Sequence, residues 1–335
     1  MRRLPGGVKI LQSAVESKKS EVKQSSKFWD VFKRYNLLIL ILLFVALAAS
    51  LSPKFLTVQN FLNLLQQSSV IGIVSIGMTF VIIVAGIDLG VGSVVAFAGM
   101  IVAVLLAGGY GLVVSIGAAV LAGVVLGSIN GFLTTKAKVP AFIVTLAMMV
   151  AARGLALLVT DGRPVFNLPP AFNWLGAGFI GPFPVSGLLW LLITLVAVLV
   201  LKYTTFGRSL YAIGGNAESA RLSGIRVERN IISVFAISGM LSALAGVVLA
   251  SWLTVGQPTA AKGMELDAIA AVVLGGTNLF GGSGGVLGTF GGVWLMAIIT
   301  NIFNLLGLSS YYQMIFMGLI IVAALILNQF VANRD

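Results

Sequence analysis

The chain contains no cysteine and no histidine among its 335 residues. The lack of cysteine excludes disulfides and thiolate metal sites. The lack of histidine removes the commonest general base, proton relay and metal ligand, and with it any Ser-His-Asp catalytic set. No Gly-rich phosphate loop ending in Gly-Lys-Ser/Thr occurs either, so the chain does not bind ATP in that manner. We therefore expect a protein that is not an enzyme and binds no cofactor or metal, and any energy source must lie in another protein.

Charged residues are also scarce, at 9% of the chain, whereas apolar residues make up 59% and the mean hydropathy is +1.07. The apolar runs are continuous and repeatedly reach the roughly 20 residues that a membrane-spanning helix needs, unlike the alternating segments of membrane β-strands. We predict an all-α fold, a polytopic transmembrane helical bundle of about ten spans. The runs lie at 36–52, within 55–87, and at 89–107, 111–134, 139–160, 186–201, 230–253, 266–279, 286–305 and 310–330.

The distribution of basic residues predicts the orientation in the membrane. Residues 1–34 carry nine Lys/Arg against three acidic residues. Placing this segment, the Lys136–Lys138 turn, the 202–229 loop and the C-terminus in the cytoplasm gathers 17 of the 21 basic residues there, as the positive-inside rule requires. We predict a disordered or interfacial cytoplasmic segment at 1–34 and a transmembrane domain at 35–331. The net charge of +11 follows from this topology and does not indicate a nucleic-acid partner.

One long charged stretch, residues 204–229, interrupts the apolar chain on its basic side. Asn216 suits the N-cap of a two-turn helix, Glu218 suits its first turn, and Gly224 suits the position after its end. A short capped helix between membrane spans is suited to docking a soluble partner. The alternative is an ordinary cytoplasmic connection that orders itself and binds nothing.

A weak internal repeat relates two Gly-rich segments. Residues 85–93 read AGIDLGVGS and residues 275–283 read GGTNLFGGS. Glycine interruptions at matching places in two halves point to discontinuous helices that line a transport site. Glycine-rich helix packing in lipid also produces such matches by chance.

Asp88 is the only charged residue between Lys54 and Lys136. An intramembrane carboxylate costs several kcal/mol, so such residues line a cavity or find a partner. Three roles are open for Asp88: it caps a helix that begins at Leu89, it pairs with Arg153 inside the membrane, or it faces the transport path.

Four motifs, in order and at sensible spacings, resemble the permease subunits of bacterial ABC importers for ribose, xylose, arabinose and galactose, which belong to the branched-chain amino acid permease superfamily. The resemblance covers roughly residues 36–330. Small departures are Gly90 and Asn278 in place of serine and Met264 in place of tyrosine. The motifs are Gly86–Ser93, the charged loop from Thr205–Arg208 through Gly214–Asn216 to Arg221–Ile225, Glu265–Ala271, and Gly275–Thr277 with Gly281 and Gly282.

The resemblance implies a permease that moves a monosaccharide, a ribose-like pentose or a hexose, across the bacterial inner membrane by alternating access. It also implies a homodimer, an extracytoplasmic sugar-binding protein and a separate ATPase with two fused nucleotide-binding domains. Alternatives are a permease for a nucleoside or branched-chain amino acid, or an ion-coupled secondary transporter. In this family the charged loop couples to the ATPase, and that role falls on Arg208, Asn216, Glu218, Arg221 and Gly224.

A neutral sugar requires a path with hydrogen-bonding side chains more than charge. Gln67 and Asn304 are candidates for the path, and Asp88 and Gly92 for the gate. Each polar candidate is equally suited to an inter-helix hydrogen bond. Further candidates near the same spans are Asn60, Gln66, Ser68, Asn301 and Gln313.

Overall fold

A computed structural model describes residues 37–309, 311–319 and 322. The named elements in these residues are helices and one small β-hairpin. The segment predicted at 1–34 lies outside the described residues. The helices are α1 (Leu37–Leu51), α2 (Val58–Ile83), α3 (Val91–Ala107), α4 (Leu112–Lys136), α5 (Ala141–Leu158), α6 (Pro170–Ala177), α7 (Val185–Tyr203), α8 (Thr205–Gly215), α9 (Ala217–Leu222), α10 (Val227–Leu253), α11 (Met264–Leu274), α12 (Val286–Leu305) and α13 (311–319).

Each predicted apolar run contains a helix, and in the described part of the chain six helices are long and apolar enough to cross a membrane: α2, α4, α5, α7, α10 and α12. The apolar helices α1 and α3 are shorter. The prediction of an all-α polytopic fold is confirmed. The predicted run at 266–279 is wrong at its end, because α11 stops at Leu274. Gly276 there has a φ of +83°, a conformation that ends helices readily.

The connection at 161–184, which lies between the predicted runs at 139–160 and 186–201, contains secondary structure. The helix α6 begins with Pro170 at its first position. A backbone N–H at this position would have no partner within the helix, so the missing N–H of proline costs nothing there. Strand β1 (Phe179–Ile180) then pairs antiparallel with β2 (Phe183–Pro184). Phe172 of α6 is fully buried, so this segment is packed onto the helical bundle.

The helix α10 lies at the centre of the fold and packs against α2, α3 and α4. Glycines permit the close approach: a Cβ added at Gly123 of α4 would overlap the backbone of Gly239 of α10, and the reverse is also true. Small residues at helix crossings favour association in lipid, where hydrophobic burial between helices contributes little. This packing holds α10 rigidly beside the segment that contains Asp88.

Candidate functional site

The charged loop forms two short helices, α8 and α9, joined at Asn216. Thr204 caps α8 by accepting a hydrogen bond from the Gly207 N–H at 3.1 Å. Asn216 ends α8 and caps α9, because its Oδ1 accepts from the Ser219 N–H at 2.9 Å. The predicted local structure of α9 is confirmed: Glu218 lies in its first turn and Gly224 follows its end with a φ of +84°. The prediction missed α8 as a separate helix.

Arg221 links α9 to the start of α10. Its guanidinium lies 3.1 Å from the Glu218 carboxylate and 2.8 Å from the Glu228 carboxylate. Both partners are substantially exposed, so these ion pairs contribute little stability and leave the charges available to a partner. Beside them, the side chain of Leu222 is 82% exposed on a six-residue helix. The outer surface of α9 therefore presents an apolar side chain bordered by both signs of charge.

The helix α8 is anchored in the membrane domain, in contrast to the exposed α9. Leu210 and Ile213 are buried. The Tyr211 hydroxyl donates to the Gly284 carbonyl at 2.9 Å, and burial raises the pKa of Tyr211, so the hydroxyl keeps the proton that it donates. A Cβ added at Gly214 would overlap the carbonyl oxygen of Ile83, the last residue of α2. The helix α8 is therefore in direct contact with the end of α2 and with the second Gly-rich segment.

The two Gly-rich segments lie against each other at this point. The first lies between α2 and α3, and the second between α11 and α12. The Gly282 N–H donates to the Ile83 carbonyl at 3.0 Å, and a Cβ added at Gly281 would come within 2.9 Å of Ala85. Both segments are non-helical backbone, which is stable at membrane depth only when it is buried in protein or lines a cavity.

Asp88 is buried, with 3% of its surface exposed. Its Oδ1 accepts from the Gly90 N–H at 3.0 Å, and its Oδ2 accepts from the Ser238 hydroxyl at 2.8 Å. Ser238 lies about 16 Å along α10 from its first residue, so the hydrogen bond joins the turn before α3 to the middle of α10. The carboxylate organises the turn before α3, although that helix begins at Val91 and not at Leu89 as predicted.

Arg153 does not pair with Asp88 among the described residues. Its guanidinium instead donates to the carbonyls of Pro258 and Ala260 at 2.9 and 2.8 Å. These bonds hold the connection between α10 and α11 against α5. That connection also meets α3, because a Cβ added at Gly92 would come within 2.5 Å of both the Ala261 carbonyl oxygen and a Glu265 carboxylate oxygen.

The polar path candidates divide into exposed and paired side chains. Gln67 and Asn304 are exposed, and no hydrogen bond engages either side chain within the described part of the chain. Ser68 is buried and its hydroxyl has no partner there. The remaining candidates form inter-helix or local contacts. Asn60 pairs with Asn301, Gln66 donates to the Gly176 carbonyl, and Gln313 donates to Thr300.

A family model described as "Branched-chain amino acid transport system / permease component" matches residues 60–325. The chain belongs to this family. It is 43% identical over 300 residues to the ribose import permease protein RbsC of Haemophilus influenzae, covering 88% of this chain and 93% of the relative. It is 38% identical over 325 residues to the D-allose transport system permease protein AlsC of Escherichia coli, and this match covers 95% of this chain and 98% of the relative.

A third relative, the L-arabinose ABC transporter permease protein AraH of Azospirillum brasilense, is 35% identical over 309 residues and covers 91% of this chain and 90% of its own length. No solved structure matches the chain significantly. The resemblance inferred from the four motifs is thus confirmed, and the chain is a multi-pass membrane permease component. In the described part of this permease, no group of three acidic residues is placed to hold a metal.

Some residues that form contacts between distant segments lie within the sequence motifs, but the motifs do not show which residues they contact. Gly214 lies in the Gly214–Asn216 motif, but the sequence does not show that it contacts Ile83. Ser238 carries no signal at all, because serines are common in membrane helices. Leu222 lies inside the charged loop, but the sequence does not show that its side chain is exposed.

Proposed function

We propose that this protein is the permease subunit of an ATP-driven sugar importer that moves a monosaccharide across the inner membrane by alternating access. Its similarity to permeases for ribose, D-allose and L-arabinose favours a ribose-like pentose or a hexose. A separate ATPase with two fused nucleotide-binding domains supplies the energy, and an extracytoplasmic binding protein delivers the sugar. This chain contributes the membrane path and binds no cofactor.

The observation that carries this proposal is the continuous contact from the exposed α9 to buried Asp88. The helix α9 presents Glu218, Arg221 and Leu222 to the cytoplasm, and Asn216 joins it to α8. The helix α8 then contacts Ile83 at Gly214. Ile83 ends α2 directly before the short segment that carries Asp88, and Ser238 of α10 donates a hydrogen bond to that carboxylate.

This arrangement supports a mechanism in which the ATPase pushes or pulls α9 and the two Gly-rich segments move with α8. Arg208, Asn216, Glu218, Arg221 and Gly224 form the docking and coupling surface, with Asn216 and Gly224 shaping α9 and the charged side chains facing the partner. Asp88 and Gly92 set the gate geometry, because both are held by close contacts at the start of α3. Polar side chains such as Gln67 and Asn304 contact the sugar.

The full topology in this proposal has ten crossings with both termini in the cytoplasm, and residues 35–331 form the permease domain after a cytoplasmic segment at 1–34. Among the described residues, six helices are long and apolar enough to cross a membrane, and α1 and α3 are shorter apolar helices that lie within further predicted runs. A homodimer is part of this proposal, as the resemblance of the four motifs to the sugar-importer permeases implies.

The test is the double substitution of Glu218 and Arg221 by alanine. The variant should insert and fold normally, because it removes only exposed ion pairs, but should bind the ATPase weakly and lose most ATP-dependent uptake. Uptake is measured in vesicles that contain the ATPase and the binding protein, and association by co-purification. Arg163→Ala removes an exposed charge on the opposite side and serves as the control.

Normal uptake by the double variant would contradict the coupling role. Addition of an ionophore provides a separate test of the energy source. Uptake that requires ATP and survives the ionophore supports the importer, whereas uptake that the ionophore abolishes without ATP would assign an ion-coupled transporter.

A further inference from the structure

A cavity of about 570 Å³ opens on the basic side of the protein, where α7 ends, α8 begins and α12 begins. Its lining combines two cationic side chains with an apolar wall. The glycines at 284, 285 and 288 contribute no side chain to this lining. The side chains that line the cavity include Val198, Leu201, Lys202, Arg208, Tyr211 and Leu287.

The two cations in this cavity have no carboxylate partner. Neither Lys202 nor Arg208 forms an ion pair with any residue that the structure describes, and no acidic residue lines the cavity. The Lys202 ammonium lies 5.3 Å from the centroid of the Tyr203 ring, a contact that stabilises the charge without neutralising it. The cavity therefore has a net positive charge.

The start of α12 adds hydrogen-bond donors to the same wall. Its N-cap, Gly285, supplies no side-chain hydrogen bond. The N–H groups at 286, 287 and 288 have no partner within the helix, because the first turn of any helix leaves its donors free. Together with the two cationic side chains, these donors suit a phosphate group.

An apolar track leads from the cavity along α7. Leu191, Leu195 and Val198 precede Lys202 by 11, 7 and 4 residues, so they share its face of the helix. Leu195 is 57% exposed, and across the cavity Leu287 is 67% exposed. A ligand that fits both features has an anionic head and a long apolar tail.

We propose that this cavity binds the phosphate headgroup of an anionic phospholipid from the leaflet on the basic side of the membrane, with its acyl chains along α7. Basic pockets between membrane helices are suited to such headgroups. A lipid fits better than the ATPase, because the exposed Leu195 and Leu287 provide apolar surface beside the cavity, whereas no residue of α9 lines it. The chain's own residues 1–34 carry nine basic and three acidic residues, so their charge does not complement the cavity.

The test compares the amount of bound lipid retained by the full-length wild-type permease with the amount retained by its variants. The protein is purified from vesicles of phosphatidylcholine mixed with phosphatidylglycerol, and bound lipid is measured by native mass spectrometry. Wild type should retain phosphatidylglycerol preferentially, and Lys202→Gln should lower its retention about fivefold, since one basic residue near a membrane surface contributes about 1 kcal/mol. Arg208→Gln should have a similar effect, but Lys202→Gln is decisive because Arg208 also belongs to the proposed docking surface.

Lys136→Gln is the matched control, because it removes a lysine on the same side of the protein but outside this cavity. Equal retention by Lys202→Gln and Lys136→Gln would overturn the proposal. Displacement of the lipid by inorganic phosphate at low concentration would assign the cavity to a free anion. Loss of the lipid on binding of the ATPase subunit would assign it to that protein. Thermal unfolding in phosphatidylcholine alone should be the same for Lys202→Gln and Lys136→Gln as for wild type.

Discussion

Asp88 and Asn278 accept the same local hydrogen bond, each from the backbone N–H two residues further along the chain. The donors are Gly90 and Phe280, and both distances are 3.0 Å. The two residues occupy matching positions in the two Gly-rich segments. Asp and Asn side chains share this turn-forming ability, because each offers an oxygen at the same distance from the backbone. The similarity between the segments therefore extends to their hydrogen bonding.

The helices that precede these two turns also end alike. The Gly86 N–H donates to the Val81 carbonyl after α2, and the Thr277 N–H donates to the Val272 carbonyl after α11. In each case the residue before the donor, Ala85 or Gly276, has a positive φ. This is the hydrogen-bond pattern of a Schellman helix end. The two ends are offset by one position relative to the aligned sequences, so the structural match does not follow the sequence match residue by residue.

This shared turn leads to a prediction for Asp88. We expect Asp88→Asn to retain transport within about threefold, because the amide oxygen still accepts from Gly90 while the amide N–H₂ donates to the Ser238 hydroxyl. Asp88→Leu should lower transport about tenfold or more, because it removes both bonds and leaves the buried Ser238 hydroxyl without a partner. The measurement is the initial rate of ATP-dependent uptake, normalised to inserted protein.

Ser238→Ala is the companion variant for Asp88. It removes one of the two hydrogen bonds and should have an effect between those of the other two substitutions. An inactive but normally assembled Asp88→Asn would contradict the turn-forming role and show that the negative charge itself is required.

Local features of the fold were predictable from the sequence, and contacts between distant segments were not. The capped helix α9 depends on Asn216, Glu218 and Gly224, which lie within nine residues, so their pattern is sufficient. The contact of Asp88 with Ser238 joins residues 150 positions apart. Nothing in a single sequence distinguishes Ser238 from the other serines of α10.

The end of α11 was visible in the sequence, whereas the partner of Arg153 was not. Gly275 and Gly276 follow Leu274 directly, so the predicted run at 266–279 extended past a helix-end signal, and the positive φ of Gly276 marks that end. Arg153 lies in an apolar run where a carboxylate partner is the natural expectation. Two backbone carbonyls satisfy it instead, and backbone carbonyls leave no trace in the amino-acid sequence.

A second prediction concerns Asn60 and Asn301, whose side-chain amides exchange two hydrogen bonds at 3.0 and 2.9 Å between α2 and α12. We expect either alanine substitution to lower thermal stability in detergent without a specific transport defect. The double variant should be less destabilised than the sum of the two single variants, with a coupling of about 0.6–2 kcal/mol. Additive effects would show that the pair contributes nothing beyond its separate side chains.

A third prediction separates the exposed path candidates from this pair. Gln67→Ala and Asn304→Ala remove side chains without hydrogen-bond partners in the described structure. Each should change the rate of transport severalfold while thermal stability stays within about 0.5 kcal/mol of wild type. Uptake assays and thermal unfolding of the same preparations provide the two measurements. If both variants transport normally, neither residue lines the path.

The last prediction tests the mechanical contact between α8 and the gate. Gly214→Ala places a Cβ on the Ile83 carbonyl, which already accepts the Gly282 N–H. Such overpacking costs typically about 1–3 kcal/mol, and the strain falls on the junction of the two Gly-rich segments. We expect ATP-dependent uptake to fall at least about tenfold, while the ATPase still binds, because the exposed surface of α9 is unchanged. Uptake, ATP hydrolysis and co-purification measure these three properties on one preparation.

Gly215→Ala is the matched control for that variant. It makes the same chemical change one residue later on α8, where an added Cβ meets nothing within 4 Å. Alanine also has a higher helix propensity than glycine, so this variant should transport like wild type and be no less stable. Equal loss of transport in both variants would mean that α8 tolerates no change at its end, and the contact with Ile83 would not be the cause. Normal transport by Gly214→Ala would remove α8 from the route between the ATPase and the gate.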